Sequence, residues 1–328
     1  MQDQVVLTIL MATYNGAAYL ESQINSIIGQ SYPYWELIIR DDGSTDGTLE
    51  MIQDFCSRDA RITLIHYGNI HGSACRNFSQ LFDWAFENKK DYVLFADQDD
   101  IWLEKKLERS YEVMLEKEKI FGAKMPLLLY SNLSFIDAND QPINVNLPLP
   151  ATLNLPLLIN ENYAWGCTIM LNPAAVQRVK HIPASSVNHD YYIALVISAF
   201  GKNILLNENL ILYRQHQNNV SGNVNKMTFA SRFNRYFKHS DAMLKPLTDN
   251  YNLVNSFFCR YRKALNQQQY HMVYDFLESY RRGFLALVSK MIQHKIFKIG
   301  LGKNLIYFYT LYLLRSRVVE SFNEGKAE

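Results

Sequence analysis

Over residues 5–118 the chain repeats one pattern. A short, almost wholly apolar run is followed by a few polar residues, then by a longer segment whose apolar side chains recur at helical spacing. The apolar runs are VVLTILMAT (5–13), WELIIRDD (35–42), RITLIHY (61–67) and DYVLFAD (91–97), each with the length and composition of a strand. The segments between them read as helices over 18–30, 45–58, 73–88 and 104–118; in the first, Leu20, Ile24, Ile27 and Ile28 fall on one face. Strands separated by helices predict right-handed crossovers and a mostly parallel sheet flanked by helices, an α/β fold. Further on, 126–137 reads as a strand or hairpin, 147–160 as a loop with a short helix, and 164–172 as a strand. Residues 188–200 read as a helix with Asn188 at its N-cap and Asp190 in its first turn, and 205–223 as a strand running into a polar loop. From Thr228 onward the pattern is helical, basic and aromatic.

In open parallel sheets, ligands bind beyond the carboxyl ends of the strands. That rule singles out three polar clusters: Thr13-Tyr14-Asn15, Asp41-Asp42-Gly43-Ser44 and Asp97-Gln98-Asp99-Asp100. The third places three carboxylates within four positions. Either they hold a divalent cation, which suits hard oxygen ligands, or they cap and charge the start of the helix expected near Leu103. In the second cluster, turn chemistry accounts for Gly43 to Asp46 and leaves Asp41 unexplained. Neither GxGxxG nor GxxxxGK[ST] occurs, so a dinucleotide fold or a P-loop is not supported. Candidates for gripping phosphate are Arg76, Arg214, His216 or a carboxylate-held ion.

Composition changes this picture in one respect. Net charge is +1, yet from Lys226 to Glu328 there are 17 Lys and Arg against 7 Asp and Glu, leaving 16 against 25 in residues 1–225. The split suggests two regions with different partners: a body over 1–225 and a basic helical region over 226–328. LIYFYTLYLL (305–314) is too short to span a bilayer and suits its interface. The alternatives are a helical subdomain or a homodimer interface. With no basic segment before the first apolar run and no run of about 18 apolar residues, neither a signal peptide nor a spanning helix is expected. Four dispersed cysteines argue against a zinc ribbon or disulfide framework. No nucleic-acid-binding motif is visible.

The three clusters, in this order and spacing, resemble the family 2 glycosyltransferases, which have the GT-A (nucleotide-diphospho-sugar transferase) fold. The resemblance runs from Val6 to about Gly222. It rests on TILMATYNGAAYLESQINSIIGQSYPYWELIIRDDGSTDGT as the opening motif and ADQDD as the DXD motif. The forms FADQDDIW, HDYY and YRQHQNNVSG look most like rhamnosyltransferases of bacterial cell-surface polysaccharide synthesis. The resemblance implies an inverting, metal-dependent transfer using Mn²⁺ or Mg²⁺. Thr13, Tyr14 and Asn15 would lie along the nucleotide, with Asp41 accepting from a pyrimidine imide and Arg76 holding the base or diphosphate. Asp97 would face the ribose or sugar, and Asp99 would bind the metal. His216 would approach the metal or diphosphate, and Asp190 would be the general base. Trp165, Gly166 and Cys167 would lie on the acceptor side. The implied donor is dTDP-rhamnose; alternatives are a UDP-hexose or UDP-N-acetylhexosamine, or a non-catalytic nucleotide-sugar or glycan-binding module. The implied acceptor is a lipid-linked or cell-wall glycan, handled in the cytoplasm at the inner face of the membrane.

Overall fold

In a computed structural model, residues 4–65, 72–145, 149–183, 186–217 and 243–324 are described. The expected strand end at 66–67, the polar loop from 218 and the start of the basic region at 226–242 lie outside them. Strand β1 (Leu7–Thr13) is buried along its whole length, as is β4 (Tyr92–Ala96). Continuous apolar runs mark strands covered on both faces. β2 (Trp35–Asp41) and β4 flank β1, both parallel to it, with Thr13 opposite Asp41 and Met11 opposite Ala96. The covering helices α1 (Ala17–Ile28), α2 (Thr48–Arg58) and α3 (Ala74–Glu87) alternate with the strands as expected. In α1, Leu20, Ile24 and Ile27 are buried while Ile28 is only half-buried.

Across the described residues the sheet has nine strands in the order β3-β2-β1-β4-β8-β6-β9-β5, with β7 (Pro142–Ile143) beside β6. Here β3 is Ile62–Leu64, β5 Ile101–Trp102, β6 Leu127–Asp137, β8 Ile169–Leu171 and β9 Lys202–Gln215. β8 runs antiparallel to both β4 and β6, and β9 runs parallel to β6. The carboxyl ends of β1, β2, β4, β6 and β9 therefore share one edge, and the entry to β8 lies there too.

Two local differences from the sequence reading matter. Ile101 and Trp102 pair with Ile211 and Leu212 of β9, so helix α4 begins only at Lys106 and runs to Phe121, with Lys105 at its N-cap. Asp100 is thus not the helix cap. It is a fully buried carboxylate between two strands. Helix α6 (Pro173–Val179), absent from the sequence reading, follows an Asn-Pro start: Ala175 N donates to Asn172 Oδ1 at 2.9 Å.

Backbone packing divides the chain into two compact units: Met1–Thr152, Ala164–Ala184 and Asn188–Gly222 in one, Leu153–Tyr163, Ser185–Val187 and Asn223–Glu328 in the other. In the second, helices Leu244–Tyr261, Gln267–Arg282, Phe284–Gln293 and Leu301–Glu324 bury Val254, Phe257, Phe276, Tyr280, Leu287, Met291, Leu311 and Val318. A reciprocal capping box joins Asn266 and Gln269. The short helix α5 (Leu155–Leu158) belongs to this unit; Asn250 Nδ2 donates to Ile159 O at 3.0 Å, and Asn160 Nδ2 to Ile296 O at 3.1 Å. Among the described residues no helix is long and apolar enough to cross a membrane.

Candidate active site

The ends of β1 and β2 are tied into one frame by side chains. Asp41 accepts from Thr13 Oγ1 (2.8 Å), Ser44 Oγ (2.6 Å), Ser44 N (2.8 Å) and Gly43 N (3.1 Å). A carboxylate offers about four acceptor sites, so Asp41 is filled by its own turn together with Thr13. Asn15, held at φ +47°, is fixed between Ser44 Oγ, which accepts from its N–H, and Thr45 N, which donates to its Oδ1. Asp46 accepts from Thr48 and Ala17; burial pushes its carboxyl upward, and these hydrogen bonds outweigh that and lower it. Beneath lies a network that sequence reading did not find: buried Arg40 donates to Asp42 (3.0 Å) and Asn77 (3.1 Å), and Asn77 donates to the carbonyls of Thr13 and Arg40. Tyr14 is 54% exposed, and its backbone is clamped by the Gln98 amide through bonds of 2.9 and 3.0 Å. A Cβ at Gly16 would stand 2.3 Å from Gln98 Oε1, so the clamp requires glycine there.

The β4 end carries the acidic cluster. Asp99 Oδ2 lies 2.7 Å from His216 Nε2, just past β9. Arg214 is buried and committed: its Nε donates to Asp99 O (2.7 Å), its backbone N to Asp100 Oδ1 (3.1 Å), and its guanidinium pairs with Asp140. It is therefore a scaffold residue, not the phosphate-gripping cation considered from sequence. One oxygen each of Asp97 and Asp100 and the Cys167 sulfur lie within 4.8 Å of one another. Burial, then the Asp99 and Asp190 charges, push the Asp97 carboxyl up to about 7; burial and the same crowding raise Asp100 well above the carboxylate range. Burial also raises the Cys167 thiol. Lys106 also lies near this cluster, fully buried, its Nζ 4.5 Å from the Trp102 ring centroid. Burial lowers its ammonium to about 8, while Cys167 and Asp100 oppose that shift. The cluster of Asp97, Asp100 and Cys167 can coordinate a divalent metal; its carboxylates suit Mn²⁺ or Mg²⁺, and its thiol favours a softer ion.

Opposite this cluster stands helix α7 (His189–Phe200). Asp190 in its first turn accepts from Gly166 N at 3.0 Å and Tyr191 N at 2.6 Å, and its charge reaches Asp97. Asn188 occupies the N-cap without a side-chain cap bond. His189 is buried and stacked on Phe78 at 4.0 Å; burial pushes its imidazole down to about 3, so it is neutral. A Cβ on Gly166 would lie 2.6 Å from His189 Nε2.

Residues 8–127 match the profile of Glycosyl transferase family 2. The matched segment is that of a family 2 glycosyltransferase, and the fold around it is GT-A-like. The chain is 28% identical over 262 residues to an Escherichia coli protein, the UDP-Glc:alpha-D-GlcNAc-diphosphoundecaprenol beta-1,3-glucosyltransferase WfgD, covering 77% of this chain and 92% of that protein. It is 37% identical over 106 residues to the dTDP-rhamnosyl transferase RfbG of Shigella flexneri, covering 32% and 37% of the two chains. Its fold is shared with S. aureus TarS 1–349 in complex with UDP-GlcNAc, at a TM-score of 0.55 and 14% identity, covering 98% and 92%. Against the longer TarS structure it spans 55% of that chain. These relatives do not single out rhamnose transfer.

Within the glycosyltransferase, the shared strand edge gathers Thr13, Tyr14, Asn15, Asp41, Asp97, Asp99 and His216, and α7 brings Asp190 within electrostatic reach of Asp97. Arg76 lies in the exposed first turn of α3, and its guanidinium forms no ion pair with a carboxylate among the described residues. Trp165 packs edge-on against Phe135 (5.7 Å) and Tyr213 (5.1 Å), while Gly166 and Cys167 are buried behind it. Tyr192 is wholly buried, which makes it core and not a sugar platform. Lys106 and Gln98 carried a weak signal in sequence: each is a polar residue in or beside the acidic motif that helix or turn chemistry does not require.

Proposed function

We propose that the enzyme transfers a hexosyl or N-acetylhexosaminyl group from a UDP donor, with inversion, to a hydroxyl of a growing lipid-linked cell-surface glycan, and that residues 1–225 are its catalytic body. The observation that carries this reading is that the Asp190 carboxylate, fixed by Gly166 N and Tyr191 N, lies within electrostatic reach of Asp97, at the strand edge where Asp99 and His216 pair. The UDP donor is supported by the WfgD alignment, which spans most of both chains, and by the UDP-GlcNAc bound to TarS. The shorter RfbG alignment supports the dTDP-rhamnose reading less. A diphosphoundecaprenol-linked acceptor, as in the name of WfgD, supports work at the inner face of the membrane.

In this reading the exposed Tyr14 lies along the nucleotide, and the filled Asp41 shapes the loop beneath it. Two backbone N–H groups orient the Asp190 carboxylate, which takes the proton from the acceptor oxygen as that oxygen attacks the anomeric carbon. A cation held by Asp99 with His216, or by Asp97 with Asp100, would neutralise the departing diphosphate as a Lewis acid. A single base acts on the acceptor, in contrast to a glycosidase with two flanking carboxylates.

Thermal shift with UDP and dTDP, each with Mn²⁺, Mg²⁺ or EDTA, tests the donor. UDP with a metal should stabilise the protein; if no nucleotide does so under any condition, the donor reading is wrong. Asp190→Asn should keep that shift and lower transfer by about a thousandfold, within the range of a lost general base. Unchanged transfer would remove Asp190 from the mechanism.

A further inference from the structure

The two C-terminal helices turn an apolar face to solvent. In Leu301–Glu324, the inward residues Tyr307, Leu311, Leu314 and Val318 form the stripe that packs into the helical unit. On the opposite face, Leu301 (78% exposed), Leu305, Tyr309, Tyr312 (65% exposed) and Leu313 recur at helical spacing in water. Helix Phe284–Gln293 repeats the arrangement, burying Leu287 and Met291 and exposing Leu285 (81%) and Ile292. Its half-buried Phe284 meets the exposed Tyr312 edge-on at 5.3 Å, so the two exposed sets stand on adjoining helices. Scattered exposed leucines need no explanation; a contiguous set at helical spacing does.

The charge around this face is one-sided. From Arg281 to Arg317 there are eight Lys and Arg and no Asp or Glu. Some have acidic partners outside the stretch, as Lys303 has Glu161, Lys290 has Asp275 and Arg282 has Glu278; Arg282, despite its pair at 3.7 Å, and Lys295 stand exposed. A core-forming helix gains nothing from leucines in water, and a protein partner gives no reason for acidic residues to be missing over the whole stretch. An anionic lipid surface accounts for both: aliphatic and tyrosine side chains enter the boundary between headgroups and acyl chains, while Lys and Arg meet the phosphates.

We propose that this face, centred on Leu301, Leu305, Tyr309, Tyr312 and Leu313 with Leu285 and Ile292, is a docking surface for an anionic membrane, in plane and without crossing it. The proposal stands apart from the donor reading, and its test separates the two. The full chain is sedimented with vesicles of phosphatidylcholine alone and of phosphatidylcholine with phosphatidylglycerol, at low and high salt. Binding should require phosphatidylglycerol, weaken with salt, and fall at least about tenfold in Leu305→Glu/Leu313→Glu, whose melting and UDP-induced thermal shift in solution stay unchanged. Arg282→Gln/Lys295→Gln, which leaves every leucine in place, should weaken binding chiefly at low salt. Equal or absent binding to both vesicles would overturn the proposal. So would a dimer in solution that the leucine variant dissociates, which assigns the face to a second copy. Vesicle binding without any UDP shift would sink the donor reading and leave the surface standing.

Discussion

His189 shows how burial decides a residue's chemistry. Its imidazole is packed against Phe78 and Phe95, and desolvation alone depresses its folded-state value to about 3 from an unfolded 6.5. A depressed value means the unfolded chain binds the proton first. The stabilisation is complete above pH 6.5 and is lost as pH falls toward 3, at up to about 1.4 kcal/mol per pH unit. His189→Gln should flatten that part of the melting temperature against pH between 6.5 and 4; an unaltered slope would mean the ring is solvated. Lys106 is the complementary case, an ammonium kept near buried Asp100 and Cys167. Gly166→Ala drives a methyl into His189, the neighbour of Asp190 in the first turn of α7. It should cost about 2 kcal/mol in denaturant unfolding, as overpacking does, and lower the turnover number more than donor affinity.

At the scale of elements, the sequence reading succeeded where an element buries a continuous or periodic apolar pattern. β1, β2 and β4 and helices α1 to α4 fall within a few residues of their expected places because fully covered strands and amphipathic helices write their burial into the order of residues. β5 and β7, of two residues each, have no period to read. β5 exists because β9 offers it an edge, and its presence delays α4 and turns Asp100 from an expected cap into a buried group. Helix α6 was legible through Asn172-Pro173 and went unread. Asn172 is wholly buried and also accepts from Leu127 N (2.9 Å) while donating to Glu118 (2.9 Å) and Met125 O (3.0 Å). Asn172→Ala should therefore cost more than a surface cap, about 3 kcal/mol, by adding unsatisfied buried groups to a lost cap. Chemical denaturation at constant m-value measures it.

For the molecule as a whole, the common direction of six strands gathers charge onto one edge. Groups distant in sequence, His216 beside Asp99 and Cys167 beside Asp97 and Asp100, are brought together in the folded state only, so a divalent cation binding them stabilises the fold by mass action. At a hundred times its dissociation constant the gain is about 2.7 kcal/mol. Manganese titration followed by thermal unfolding should show a saturating rise that Asp99→Asn reduces; an identical rise in the variant would assign the ion to Asp97, Asp100 and Cys167.

The order of residues alone determined the α/β class, the alternation of strands and helices, and the three strand-end clusters, because these follow from local periodicity and the rule that ligands sit at carboxyl ends. It also determined the charge contrast between residues 1–225 and the basic region. Only the tertiary structure decided what each polar group does. Asp41 is filled by Thr13 and Ser44, Arg214 is spent on Asp99, Asp100 and Asp140, and Lys106 lies near the acidic cluster. Their roles depend on partners mostly far away in sequence and on loss of water at the site, and neither is written in local order.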